Sequence, residues 1–404
     1  MTRALWFIFL TVFLDVTGFG LIIPVLPRLI QELGHVSISE ASPIGGWMAA
    51  SYSIMLFLFA PIMGGLSDQF GRRTVLMLCL AAFGLDYIIQ ALAPNLTWLF
   101  AGRIIAGITG ATYSVAGAYI ADVSSAEKRA QNFGLIGAAF GLGFIVGPLL
   151  GGVLAEYGLR IPFYGAAVLV FLNFLFGFFV LPESLAESNR RKFDFRRANP
   201  FGTLKILFRF PVIREFTFVL FLTYMAHFCL QATWTYYTIE KFKWNAAMIG
   251  YSLAAVGLCT AIVQGGLTRI LLPKMGTRNA VYTGMGMVTV CYMAYAFAPF
   301  GWVMFVIMVP FSLGGLASAA IQGLLSNQIP PDAQGELQGG MTSLMSLTAI
   351  LGPLLMTRIF YYFTHQGAPF YFPGAPFFAA SVLCTCAFVL MLRALKRVPA
   401  EKIT

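Results

Sequence analysis

Three charged residues stand inside long apolar runs that should have none: Asp15, Asp86 and Arg103. An ionised side chain at membrane depth is costly unless it is paired or hydrated, so none of the three is expected to face lipid. Burial favours the protonated form of a carboxyl group, and an approaching guanidinium favours the ionised form. A change of surroundings can therefore load and release a proton. Two acids and an arginine in one part of the chain are the ingredients of a proton-coupling site, with Asp15 the stronger candidate. The plainer alternative is a set of structural hydrogen bonds.

Other chemistry is poorly provided for. There is no nucleophile elbow, nucleotide-binding loop or paired metal-ligand motif, which argues against an enzyme. All six cysteines lie in apolar runs, and none clusters with His35, His227 or His365. No catalytic residue, metal site or cofactor is expected, and the proton is the only coupling ion. The termini are too short for a signalling domain, which argues against a sensor.

The elements that must carry these charges follow from composition. The chain has 404 residues, of which 59% are hydrophobic and 10% charged. Soluble domains are about 45–50% apolar and about 25% charged, so a water-soluble fold is excluded. A helix needs about 20 apolar residues to cross a bilayer. Apolar runs of that length predict an all-α membrane protein with spans at 4–27, 44–66, 74–93, 98–121, 133–155, 162–182, 215–237, 248–270, 280–298, 302–325, 339–362 and 375–394. Barrel strands would alternate apolar and polar residues instead. The first run is read as a retained span, since it contains Asp15 and lacks a small-residue cleavage site before Arg28.

Lys and Arg concentrate on the cytoplasmic side of membrane proteins. Arg72, Arg73, Lys128, Arg129, Arg190, Arg191, Lys192, Arg196, Arg197, Lys205 and Arg209 place the even-numbered loops inside, so both termini are expected in the cytoplasm. This distribution accounts for the net charge of +10 through topology and contact with anionic headgroups, without nucleic acid. The longest hydrophilic stretch, 183–214, reads as a basic cytoplasmic linker between six-helix halves at 1–182 and 215–404.

An internal repeat supports two halves. Gly147-Pro148-Leu149-Leu150 recurs as Gly352-Pro353-Leu354-Leu355, and the same offset carries Gly71 onto Gly276, Gly110 onto Gly315, Asp122 onto Asn327 and Arg129 onto Gln334. Gly64-Gly65-Leu66-Ser67 matches Gly265-Gly266-Leu267-Thr268 at a slightly shorter offset, as a short insertion in the second loop would produce. Ordered matches in corresponding spans are expected of transporters built from repeated helix sets.

The stretch Gly64-Gly65-Leu66-Ser67-Asp68-Gln69-Phe70-Gly71-Arg72-Arg73 closely resembles the span-two to span-three signature of the major facilitator superfamily. Arg103 with Gly107 and Gly110 in span four adds a second signature. Gly143, Gly147, Pro148, Gly151 and Gly152 in span five resemble the antiporter signature of proton-driven drug exporters. The segments Leu14 to Pro27, Gly107 to Thr112 and Gln338 to Leu355 extend the likeness, which is closest to the tetracycline/proton antiporters.

That resemblance implies a major facilitator fold with two pseudo-symmetric six-helix bundles. It also implies alternating access and proton-driven export of small, largely apolar or amphipathic molecules by a monomer in the bacterial inner membrane. Asp15, Asp86 and Arg103 would couple the proton. Gly64, Asp68, Gly71, Arg72, Arg73, Asp122 and Arg129 would form a conformational latch, with Arg72 pairing Asp122 and Asp68 facing a helix N-terminus in the other half. The matching positions of the second half hold Arg269, Asn327 and Gln334, so a full latch is expected once. Close packing is expected of span five, and control of leak or direction comes from the resemblance.

By the same resemblance spans one, four, seven and ten line the cavity, which nominates Gln231, Trp234, Tyr236, Tyr237 and Gln322 for substrate. Tyr and Trp near a span end are also ordinary interfacial anchors. Tetracycline exporters carry an acid in span nine and a histidine in span eight where this chain has Val288 and Thr260. Arg358 in span eleven is a further departure: it either snorkels to the interface or binds an anionic substrate. These departures keep a carrier of a specific metabolite or siderophore open as the alternative.

Overall fold

The computed structural model describes residues 3–110, 112–125, 128–193, 211–328 and 334–397. Residues 194–210, most of the expected linker with Arg196, Arg197, Lys205 and Arg209, lie outside them. Among the described residues there are helices and turns and no strand. Twelve helical stretches are long and apolar enough to cross a membrane. A helix pairs every interior backbone donor and acceptor within itself, which hydrocarbon demands.

In the first half of the chain these are α1 (Arg3–Ile22), the short α2 (Leu26–Gly34), α3 (Ile38–Phe70), α4 (Arg72–Ala91), the pair α5 (Leu96–Thr109) and α6 (Thr112–Val123), α7 (Arg129–Leu154) and α8 (Ile161–Val180). In the second half they are α9 (Pro211–Phe242), α10 (Ala246–Ile262) continuing through a π-helical turn into α11 (Thr268–Met275), α12 (Thr277–Phe297), α13 (Gly301–Ser312) with α14 (Gly315–Asn327), α15 (Gln334–Thr364) and α16 (Ala375–Arg397).

Several boundaries differ from expectation for local reasons. The first span ends at Ile22, before Pro24, which has no backbone donor to continue the helix. Pro27 then sits in the first turn of α2, where a donor is not needed. Span two is much longer than 44–66, running from Ile38 to Phe70. Span four is interrupted at Gly110, and span ten at Leu313 and Gly314. Span eight contains the π-helical turn Val263–Leu267 over Gln264, Gly265 and Gly266.

Contacts divide the chain into two compact units. One comprises Met1–Ser37, Ser51–Asn199 and Trp244–Ala254, and the other Ile38–Ala50, Pro200–Lys243 and Ala255–Thr404. Inside the first, α1 packs on α7 and α8, while α4 packs on α8 and α5. Inside the second, α9 packs on α15 and α16, while α12 packs on α16, α13 and α14. These main pairings in one unit have their counterparts in the other, so the repeat seen in short motifs extends to the choice of neighbours. The core of the second unit is built from Phe216, Val219, Val281, Ala317, Ile321 and Met391.

The repeat also appears in the backbone. Gly71 between α3 and α4 has φ 97° and ψ 149°, and its match Gly276 between α11 and α12 has φ 73° and ψ 157°. Side chains rarely adopt such angles, so both turns call for glycine.

Candidate functional site

Asp86 and Arg103 are nearly inaccessible, at 1% and 7% exposure, and Asp15 lies half-buried on α1. Gln90, one turn along α4, donates from Nε2 to Asp86 Oδ2 at 2.7 Å. Gly102 makes room beside this pair: a methyl group there would lie 2.6 Å from Asp86 Oδ1. Arg103 acts electrostatically on Asp86, and Tyr52 and Tyr87 are within electrostatic reach of Asp15, Asp86 and Arg103 alike. The Tyr87 hydroxyl lies against Gly18, one turn from Asp15.

Asp15 Oδ1, Asp86 Oδ1, Gln90 Oε1 and Arg103 Nε are buried without a hydrogen-bond partner among the described residues. Buried polar atoms are nearly always paired, and leaving one orphaned costs about 1–3 kcal/mol. Four such atoms belong to these residues, so the polar network around Asp86 and Gln90 is incompletely paired among the described residues.

A second polar assembly closes the α3–α4 junction. Arg72 Nη1 lies 2.5 Å from Asp68 Oδ1 and Arg72 Nε 3.2 Å from Asp122 Oδ2. Arg72 Nη1 also donates to Ser67 Oγ at 2.5 Å. Glu183, just beyond α8, accepts from the backbone N–H groups of Arg72 at 2.9 Å and Arg73 at 3.2 Å. A carboxylate on the first amides of a helix satisfies orphan donors and complements the dipole. The same carboxylate accepts from the Ser184 and Leu185 amides, and Ser184 Oγ donates to Asp122.

Arg73 donates to the Phe178 carbonyl at 2.7 Å. The segment after Glu183 lies back over this junction, with the Arg191 amide on the Asp68 carbonyl and the Phe193 amide on Gln69 Oε1. The Gly64 carbonyl accepts from Ser67 Oγ at 2.7 Å, and among the described residues the nearest side chain to a methyl group at Gly64 would be Ser114, at 4.0 Å. The side chain of Arg129 lies outside the described residues.

On α7 the glycines form a seam against α1. Methyl groups at Gly143 and Gly147 would come 2.8 Å from the Phe13 carbonyl oxygen and 2.6 Å from that of Thr17. One at Gly151 would overlap the Leu21 carbonyl. On the other side, Gly152 meets the Ala246 carbonyl, and Gly250 lies on that of Pro148. Helices in a membrane approach this closely only through small residues.

The substrate candidates separate into two groups. Trp234 packs edge-on against Tyr295 and Phe377, and Tyr237 donates from its hydroxyl to the Tyr295 carbonyl at 2.7 Å. Both are buried in an aromatic core. Tyr236 is also buried, its ring against Phe360 and its hydroxyl over Gly45. Gln231 is exposed and within 3.2 Å of His227 Nε2, one turn earlier on α9. Gln322 is exposed on α14, and Arg358 is exposed on α15. Val288 packs over Gly314 at the break in span ten.

A profile of the Major Facilitator Superfamily matches residues 8–353. The chain belongs to this superfamily. As a major facilitator protein it is a multi-pass membrane transporter and not an enzyme. It is 43% identical to the class C tetracycline resistance protein of Escherichia coli over 350 residues, covering 87% of this chain and 88% of that protein. It is 38% identical to the class G tetracycline resistance protein of Vibrio anguillarum, over 87% and 88% of the two chains. The solved structure of the human organic anion transporter TETRAN superposes with a TM-score of 0.71 at 25% identity, over 96% of this chain and 99% of that one. A bacterial homologue of the lysosomal transporter Spinster, in an inward-facing and occupied conformation, superposes with a TM-score of 0.77 at 15% identity over 99% and 97%, a likeness of fold.

Four residues of this facilitator's polar assemblies escaped the sequence reading. Tyr52 and Tyr87 look like ordinary aromatic members of apolar spans, and Gln90 like a helix-end residue. Glu183 carried a usable signal, being an acid directly after a span end at the start of a basic stretch. A fifth residue, His227, stands in an apolar span and is marked in the structure by Gln231 Nε2 at 3.2 Å.

Proposed function

We propose that this chain is a proton-coupled antiporter that exports small, largely apolar or amphipathic molecules by alternating access. The observation carrying this reading is the group of buried, incompletely paired Asp15, Asp86 and Arg103. Asp15 takes up a proton as a neutral carboxylic acid and gives it up as a carboxylate, while Arg103 acts on Asp86 as counter-charge. Tyr87, whose hydroxyl lies against Gly18 one turn from Asp15, stands beside this group. The Arg72 ion pairs with Asp68 and Asp122 serve as a latch, with Gly64, Gly71, Arg73 and Arg129 in the same motif. The α7 seam of Gly143, Gly147, Pro148, Gly151 and Gly152 keeps α1 and α7 in register as the site changes access.

In this reading the halves are 1–182 and 215–404, joined by the linker 183–214. The protein works as a monomer in the bacterial inner membrane with both termini in the cytoplasm. Exposed Gln231, with His227 beside it, and Gln322 are the side chains offered to substrate. Tyr236, Trp234 and Tyr237 lie buried on the same helix as Gln231. The relatives named as tetracycline resistance proteins favour a drug of that kind.

The test is transport into proteoliposomes under an imposed pH gradient. Asp15→Asn should fold and lose gradient-driven transport, and full transport by that variant would overturn the coupling role. A second reading, a carrier of one specific metabolite or siderophore, is favoured by Thr260 and Val288 where tetracycline exporters are expected to carry a histidine and an acid. Accumulation of a broad compound panel in expressing cells separates the two: resistance to several drugs supports the first reading, and a single hit the second.

A further inference from the structure

Arg358 stands on the apolar span formed by α15, and the transport reading does not use it. It lies about 9 Å inside the C-terminal end of α15, at roughly 1.5 Å of rise per residue. Its helix face is exposed over about three turns, with Leu351, Leu355 and Tyr362 as neighbours. The opposite face carries Met356, Thr357, Phe360 and Thr364, all buried. The beginning of α3, which belongs to the same compact unit, is pinned to that buried side. Ser42 Oγ donates to the Thr357 carbonyl at 3.2 Å, and Ser39 and Thr364 share a hydroxyl pair at 2.5 Å.

An open cleft results between α3 and α15, lined by Pro43, Leu355, Arg358, Ile359 and Tyr362. Arg358 makes no ion pair or hydrogen bond with a described residue. A guanidinium on an apolar, lipid-exposed helix face is costly without a counter-charge. A tyrosine one turn nearer the helix end is placed at headgroup depth.

We propose that this cleft holds an anionic phospholipid, with Arg358 on the lipid phosphate. The acyl chain then follows Leu355, Ile359 and Pro43, and Tyr362 lies beside the glycerol and headgroup. The choice of occupant follows from charge and shape together. The planar guanidinium fork matches phosphate oxygens, and the rest of the cleft offers only apolar surface. A polar solute would leave that surface wet, whereas a lipid covers it and neutralises the arginine at once.

The test uses the purified full-length chain, equilibrated with vesicles of phosphatidylglycerol and phosphatidylcholine and examined by native mass spectrometry. The wild-type protein should retain phosphatidylglycerol in preference to phosphatidylcholine, and equal retention overturns the proposal without any variant. Arg358→Gln should lower retained phosphatidylglycerol by about fivefold, the effect of one basic residue at an anionic surface. Arg358→Lys should keep part of it. Unchanged retention in Arg358→Gln overturns the proposal. Displacement of the lipid by soluble glycerol phosphate would also overturn it, by showing a site for soluble anions. A KM for transported substrate raised by Arg358→Gln in phosphatidylcholine vesicles would do the same by assigning the residue to substrate.

Discussion

The α3–α4 and α11–α12 junctions share a backbone turn but little of its chemistry. Gly71 and Gly276 both adopt positive φ with extended ψ. At the first junction Arg72 is tied to Asp68 and Asp122, and Glu183 caps the following helix. The ring of Phe193 covers Gly65, and the Glu183 carboxylate and Arg190 fill the space beside Gly71. At the second junction Thr277 stands in the place of Arg72, Arg269 in that of Asp68, and among the described residues no atom of a neighbouring element lies within 4 Å of a methyl group at Gly265, Gly266 or Gly276. A repeat preserves the turn because the chain must reverse there in both halves. Among the described residues, the polar bracing by Arg72, Asp68, Asp122 and Glu183 is seen at the first junction.

The comparison breaks first at Arg72. Arg72→Ala leaves Asp68 and Asp122 without counter-charge, and should cost roughly 2–3 kcal/mol, the range for hydrogen bonds to charged groups. Thr277→Ala should stay within about 0.5 kcal/mol. Thermal unfolding in detergent reads both, and equal shifts would show that the first junction is no better braced than the second.

Glycine replacement sharpens the contrast. Gly71→Ala and Gly276→Ala each force a side chain into a strained backbone region, at about 1–3 kcal/mol. Gly71→Ala should be the more damaging, because its new methyl group also overlaps the Glu183 carboxylate. Adding Glu183→Ala to Gly71→Ala should recover part of that difference, and a strictly additive double variant would discount the overlap.

The smallest effect belongs to the cap. Glu183→Ala alone should cost about 1 kcal/mol, as loss of an N-terminal cap does. Faster hydrogen exchange at the Arg72 and Arg73 amides should accompany it, while the amides after Gly276 stay unchanged. Exchange rates unaltered at Arg72 and Arg73 would remove Glu183 from the junction.

The sequence by itself determined the class of fold and the approximate place of the spans, though not the length of span two or the breaks in spans four and ten, because apolar length in a bilayer leaves the backbone no choice but helix. It also marked Asp15, Asp86 and Arg103, since charge within an apolar run is legible without coordinates. The repeat could be read from Gly71 with Gly276 and from Gly147-Pro148 with Gly352-Pro353, because glycine and proline are kept by backbone geometry and short matches survive. Tertiary structure alone decided which side chains surround those charges. Tyr52 is brought in from α3 and Glu183 from beyond a span end, while Tyr87 and Gln90 share α4 with Asp86, and the residue types carry no mark of these assignments. It also decided that Trp234 and Tyr237 pack against Tyr295 while Gln231 remains exposed. Helical periodicity gives residues a common face, and only the packed neighbours settle whether that face meets protein, lipid or a polar guest.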